Sequence, residues 1–252
     1  MKNNLKERLG RGEACLGMFV AVDTTETVEI AGITGYDFVV LDMEHGHVEM
    51  KGLLPMLIAA ERRNIPAVVR IPEINGSLIV NVLDLGAGGI QAPQVGNAAD
   101  AQTVVKYSKY YPDGIRGMGS PRAGDYGDID LKTYIREANE ETLVVLQCES
   151  SEGLDQIEAV AQIPHVDVIF LGPYDMSQSL GMPGEIDSDR IGAIRQKVLQ
   201  VCSKYGKIPG IFAADGRDAG RLKDMGFQYI VMGMDVDHIY SKFKEEIGRF
   251  HA

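Results

Sequence analysis

Four stretches of the chain hold the residue types that acid–base and metal chemistry require. Asp42-Met43-Glu44-His45-Gly46-His47 crowds carboxylates and imidazoles together. LVVLQCE (143–149) ends on Gln147 and Glu149, DVIFLG (167–172) leads into Gly172-Pro173-Tyr174-Asp175, and AVVRI (67–71) carries Arg70. Side chains alternate along a strand, so Gln147 and Glu149 share one face and Cys148 takes the other. An inward carboxylate is costly to bury unless it is paired or meets a cation. Asp175, just past the next apolar run, can reach the same point. Two such carboxylates, with room for water and a chelating ligand, suit octahedral Mg²⁺ or Mn²⁺. The competing reading is a pair of acids held by arginine or by backbone amides.

Arg70 offers a planar guanidinium that can grip a carboxylate or oppose a developing oxyanion. An ion pair to Asp42 or Glu44 is compatible with that role. His45 is the candidate general base, imidazole being the side chain suited to taking and returning a proton near neutral pH. Asp84, in LDLGAGG (83–89), is of the type that orients a histidine through a hydrogen bond; simple solvation on a helix is its alternative. His45 and His47 also form an HxH, a zinc-ligand spacing. The remaining histidines, His165, His238 and His251, close no strand, which disfavours zinc. A Schiff-base mechanism needs a lysine at a strand end, and none stands there.

The elements that must position these groups follow from hydrophobic patterning. Apolar runs at 15–21, 38–42, 67–71, 89–93, 143–149, 167–172, 208–213 and 229–233 read as strands buried on both faces. Helical patterns lie at 51–63, 97–110, 152–161, 188–205 and 215–225. Strand–helix alternation implies a parallel sheet. Eight strands in 252 residues point to a single-domain (β/α)₈ barrel spanning 1–252. No GxGxxG follows the first strand, against a dinucleotide fold. In such a barrel the chemistry sits at the C-terminal strand ends, where all four stretches fall. A Gly-rich segment, 112–128, interrupts the alternation, and long loops of this kind often bind ligands. Arg116 and Arg122 within it are expected either to meet the acidic tail of a bound ligand or to pair with Asp113, Asp125 or Asp128. The terminal helix 236–250 lines up Ile239, Phe243, Ile247 and Phe250, a face that must pack on its own barrel or on a neighbour.

Composition narrows the class. The charge is 25 − 36 = −11, against a nucleic-acid or anionic-membrane surface. No apolar run reaches membrane-span length, and MKNNLKERLGRGEA lacks the apolar core of a signal peptide. Cys15, Cys148 and Cys202 form no framework, so a cytoplasmic location is expected.

LDMEHGH (41–47), VVRIPE (68–73), LDLGAGGIQAPQV (83–95), YYPDGIRGMG (110–119) and the block 146–184 with its GPYD resemble, in order, the motifs of the HpcH/HpaI aldolase family. The resemblance covers nearly the whole chain. It implies a (β/α)₈ barrel, often hexameric, with the last helix exchanged between subunits. It also implies divalent-metal-dependent cleavage of a 4-hydroxy-2-oxo acid to pyruvate and an aldehyde through a pyruvate enolate, with Mg, Mn or Co as cofactor. The family's metal carboxylates fall on Glu149 and Asp175, its enolate-stabilising arginine on Arg70 and its catalytic histidine on His45. Supporting acids fall on Asp42 and Asp84, and a glutamine near the keto acid falls on Gln147. Backbone amides around Gly172, Pro173, Tyr174 and Asp175 would hold the substrate carboxylate. The chain departs from the family in having Phe19 where many members carry tryptophan, Ser150 where threonine is common, and Gln91 and Gln94 where relatives are often apolar. A citramalyl- or malyl-CoA-type lyase and a non-catalytic keto-acid-binding barrel are the alternatives. The arginine-poor rim counts against CoA, and the His45–Arg70–Glu149–Asp175 set counts against a mere binder.

Overall fold

The computed structural model describes residues 4–251. Eight parallel strands close into a barrel in sequence order. They are β1 (Cys15–Val20), β2 (Phe38–Asp42), β3 (Ala67–Arg70), β4 (Gly89–Ala92), β5 (Leu143–Cys148), β6 (Val168–Leu171), β7 (Ile208–Ala213) and β8 (Tyr229–Met234). The helices are α1 (Asn4–Gly10), α2 (Thr25–Thr34), α3 (Met50–Arg63), α4 (Gly76–Asp84), α5 (Ala98–Ser108), α6 (Leu131–Glu141), α7 (Ser151–Asp155), α8 (Ile157–Ala161), α9 (Pro173–Ser179), α10 (Asp189–Tyr205), α11 (Gly216–Met225) and α12 (Asp235–His251). The expected (β/α)₈ barrel is therefore the fold.

The strands are buried on both faces because each feeds two cores. Outward residues such as Val39, Leu41, Val69 and Ile90 pack under the helices. Inward residues, including Phe38, Val40, Val145, Phe170 and Tyr229, fill the barrel with Leu5 and Leu9 of α1. Phe38 and Tyr229 stack with centroids 4.4 Å apart. Gly17 makes room for this layer, since a Cβ there would run into the Phe38 ring. Large and small inward residues thus interdigitate, as a filled barrel requires.

The structure adds α1, α2, α4, α6 and α9 to the helices legible in the sequence. It also splits the expected helix at 152–161 into α7 and α8 at Gln156. Helices start on side-chain caps: Asn75 accepts from Leu78 N–H, Asn97 from Ala99 and Asp100, and Ser150 from Gly153. The Gly-rich segment ends in a 3₁₀ turn at 122–127, with Asp125 and Tyr126 at positive φ, before α6 begins. No helix of the described residues is long and apolar enough to cross a membrane.

Candidate active site

Register builds the site. Asp42 pairs with Arg70 across β2–β3, and Arg70 with Gln91 across β3–β4. This row lies at the C-terminal strand ends and faces inward. Arg70 Nε donates to Asp42 Oδ1 at 2.8 Å and Nη2 to Oδ2 at 2.6 Å, a bidentate pair. Its third nitrogen, Nη1, lies 3.2 Å from Glu44 Oε2, and its Cζ sits 4.2 Å from the Phe19 ring centroid. Phe19 in turn stacks on Phe212, whose other neighbour is the edge of Tyr174. Asp42 is fully buried and also shapes the loop beyond it. Its Oδ1 accepts from the backbone N–H groups of Glu44 at 3.0 Å and His45 at 3.3 Å. Gly46 then passes so close to the backbone of Asp42 and Ala21 that a Cβ would collide. The result lifts the His45 imidazole to the rim, 60% exposed, with Nε2 4.0 Å from Glu44 Oε2.

Across the mouth, Glu149 is 6% exposed. Its Oε1 accepts from Gln94 N–H at 2.6 Å, and its Oε2 from Gln147 Nε2 at 2.5 Å. Gln94 holds a left-handed φ of 52°, which turns that N–H inward. Burial pushes the Glu149 carboxyl above its ordinary range, Asp175 adds to the rise, and these two hydrogen bonds with Arg70 pull it back. Asp175 stands exposed in the first turn of α9. A Cβ at Gly172 would lie 3.0 Å from Glu149 Oε2 and 3.9 Å from Asp175 Oδ2. Glycine there keeps open the space that the two carboxylates flank. That space, with acids repelling one another across it, fits a hard divalent cation completed by water and substrate oxygens. Among the described residues no cluster of three or more His, Cys, Asp or Glu has metal-binding geometry. Mg²⁺ commonly uses only one or two carboxylates.

Glu44 was named from the sequence only as a partner of Arg70. Its side chain is 9% exposed and its Oε2 accepts no hydrogen bond among the described residues. Burial pushes this carboxyl up to about 7; Arg70 pulls it down, while Glu149, Asp42 and Asp175 add to the rise. Between its ordinary 4.5 and about 7, the folded state holds a proton that the unfolded chain has lost. Stability contributed by that proton is complete below 4.5 and is lost as pH rises through about 7. Glu44→Gln is therefore expected to stabilise the metal-free protein at pH 8 and to flatten the decline across this window. Urea unfolding at stepped pH reads both; parallel curves for the two proteins would contradict it.

Not every expected residue reaches the mouth. Asp84 ends α4, which runs from the C-terminal end of β3 back to the start of β4, so it lies toward the opposite end of the barrel from His45. Its carboxylate is taken by Arg116 Nη2 at 2.6 Å, so within the chain it orients no histidine. Arg116 is itself 5% exposed, bonds to Tyr134 and lies 4.7 Å from the Tyr110 ring centroid. Arg122 pairs with Glu61 and donates to the Leu85 carbonyl at 2.9 Å. Both arginines line a flank cleft of about 380 Å³ among α3, α4 and α6. The expectation that they meet a ligand's acidic tail is thus corrected for this chain's own mouth. Their partners are Asp84 and Glu61, and not the nearby Asp113, Asp125 or Asp128.

Comparison with known proteins identifies the relatives of this barrel. The family model described as HpcH/HpaI aldolase/citrate lyase matches residues 15–241. A hydroxypyruvate/pyruvate aldolase of Pseudomonas aeruginosa is 31% identical over 248 residues, covering 98% of this chain and 92% of the relative. A 4-hydroxy-2-oxovalerate aldolase of Novosphingobium aromaticivorans is 33% identical over 234 residues, covering 92% and 88%. Among solved structures, the citrate synthase SbnG superposes with a TM-score of 0.89 at 30% identity, covering 98% of this chain and 97% of that one.

Proposed function

The chain belongs to the HpcH/HpaI aldolase/citrate lyase family of carbon–carbon lyases, and from that membership we propose that it is a divalent-metal-dependent aldolase that reversibly cleaves a 4-hydroxy-2-oxo acid to pyruvate and an aldehyde. One observation carries the reading: Glu149 and Asp175 flank an open space beside Gly172, on the same rim as Arg70 and His45. Mg²⁺, Mn²⁺ or Co²⁺ held by those two carboxylates would draw electron density from the keto oxygen. The protein's own groups do the rest. His45, at the rim, takes the proton from the 4-hydroxyl as the C3–C4 bond breaks. Arg70, fixed by Asp42, turns Nη1 toward the negative charge that develops on the enolate oxygen of pyruvate. Gln147 lies beside Glu149 to meet the keto acid. The turn formed by Gly172, Pro173, Tyr174 and Asp175 presents first-turn peptide N–H groups, of the kind that hold carboxylates.

The remaining parts of the reading concern the assembly and its surroundings. Ile239, Phe243, Ile247 and Phe250 of α12 are exposed. Covering them suits exchange of this helix between subunits of a hexamer, each subunit a single barrel domain. Three free, buried cysteines suit a reducing cytoplasm. The partners are then small keto acids and aldehydes, with neither nucleic acid nor membrane among them. Exchange of the pyruvate methyl protons in D₂O, followed by NMR with Mg²⁺ present, tests the function. Enzyme-dependent loss of the methyl signal is expected. A folded, Mg²⁺- or Mn²⁺-supplemented protein that leaves the signal intact would overturn it.

A further inference from the structure

A hydrogen-bonded line of buried side chains runs through the barrel to the mouth. The Tyr229 hydroxyl donates to Gln91 Oε1 at 3.1 Å, Gln91 Nε2 donates to Gln147 Oε1 at 2.6 Å, and Gln147 Nε2 donates to Glu149 Oε2 at 2.5 Å. Tyr229 and Gln91 are fully buried, and Gln147 is 2% exposed. Nothing in the reaction proposed above uses Tyr229 or Gln91.

The direction of the line is set at its ends. A primary amide can be turned end for end at little steric cost, so its orientation is decided by what each end meets. At the inner end stands a phenol, which burial keeps protonated by holding its pKa well above the ordinary value. A phenol can donate or accept, but among the described residues its proton meets no acceptor other than Gln91, so Gln91 presents its carbonyl there and its NH₂ to Gln147. Gln147 must then present its carbonyl to Gln91 and its NH₂ to Glu149. At the outer end stands a carboxylate, which only accepts when ionised. Both ends therefore demand the same polarity, and every donor points toward Glu149. With Gln94 N–H on the other oxygen, the carboxylate is gripped on both sides. Were Gln147 free to flip, its carbonyl would face Glu149 oxygen to oxygen.

We infer that Tyr229 and Gln91 are positioning residues that lock the Gln147 amide in one orientation and so preorganise Glu149 for its cation. The inference rests on the metal reading of the mouth. Partners that orient a metal ligand are commonly worth 10–100-fold in metal affinity.

The test is Mn²⁺ titration of the substrate-free protein, with free Mn²⁺ read by electron paramagnetic resonance and the thermal midpoint of the metal-free protein recorded in parallel. Gln91→Met removes the middle of the line at similar volume; Mn²⁺ binding should weaken about 10–100-fold. Tyr229→Phe removes only the hydroxyl and should weaken binding by a smaller factor. Added to Gln91→Met, Tyr229→Phe should cause no further loss, because its effect passes through Gln91. If either single variant is folded, has a lowered thermal midpoint and binds Mn²⁺ like wild type, the line is merely structural and the inference falls. If Gln91→Met does not fold, Tyr229→Phe decides alone. Failure of the wild-type protein to bind Mn²⁺ would instead bring down the metal reading, and this inference with it.

Discussion

Stripping divalent cations with EDTA is expected to abolish aldol cleavage, and adding back Mg²⁺, Mn²⁺ or Co²⁺ to restore it. The size of the effect follows from what else the mouth offers. A metal-free aldolase would need a lysine to form an iminium with the keto acid. Lys109 has the pKa such chemistry wants, since burial pushes it down to about 7. It is nonetheless in the wrong place. Its Nζ donates to the carbonyls of Asn139 at 2.7 Å and Thr142 at 2.8 Å, the latter just before β5 begins, and it has no exposed surface. It thus sits at the N-terminal end of the strands, with the barrel core between it and Arg70. A Lewis acid contributes several kcal/mol to such a carbonyl reaction, about three orders of magnitude or more in rate. Chelation should therefore bring pyruvate release down to background, and borohydride with pyruvate should trap no adduct. Full turnover after EDTA treatment and dialysis, or a covalent pyruvyl adduct by mass spectrometry, would refute this.

How much of this was legible beforehand depended on the range of the interactions involved. The strands were plain because burial on both faces leaves an unbroken apolar run. Their ends then supplied Asp42, Arg70, Gln147, Glu149 and Asp175 in one step, since a barrel gathers its strand ends at one rim. Helix α2 was missed because Ile30 and Ile33 face outward, 58% and 66% exposed, which erases the amphipathic stripe. The segment 112–128 misled for another reason. Acids at 113, 125 and 128 are close in sequence, but Arg116 and Arg122 reach Asp84 and Glu61, which only the packing of α3 and α4 brings near. Gln91 did leave a trace, as a polar residue inside the apolar run GIQAP. That Tyr229 lies behind it could not be read, because the two come from opposite sides of the barrel and meet only in its interior.

Arg70→Lys is expected to cut kcat by about 10²–10³, or roughly 2.7–4 kcal/mol, the usual cost of losing one oxyanion-stabilising donor. The structure shows why charge alone is insufficient. One edge of the guanidinium is committed to Asp42 through Nε and Nη2. Only because the group is planar and forked does Nη1 remain, held rigidly toward Glu44 and the mouth. The flat face of the fork also lies on Phe19, which a tetrahedral ammonium cannot match. A lysine at this position would be drawn to the fully buried Asp42 carboxylate, leaving nothing fixed for the enolate oxygen. The substitution therefore separates two roles. If Arg70 served only to neutralise Asp42, lysine would keep most of that pairing, and turnover would stay near wild type with at most a lower thermal midpoint. If Nη1 opposes the charge that appears as the C3–C4 bond breaks, kcat falls while Mn²⁺ affinity, which the proposed site assigns to Glu149 and Asp175 across the mouth, changes little. Steady-state kinetics on a 4-hydroxy-2-oxo acid together with Mn²⁺ titration distinguish the two, and wild-type kcat in the folded variant would remove Arg70 from the chemistry.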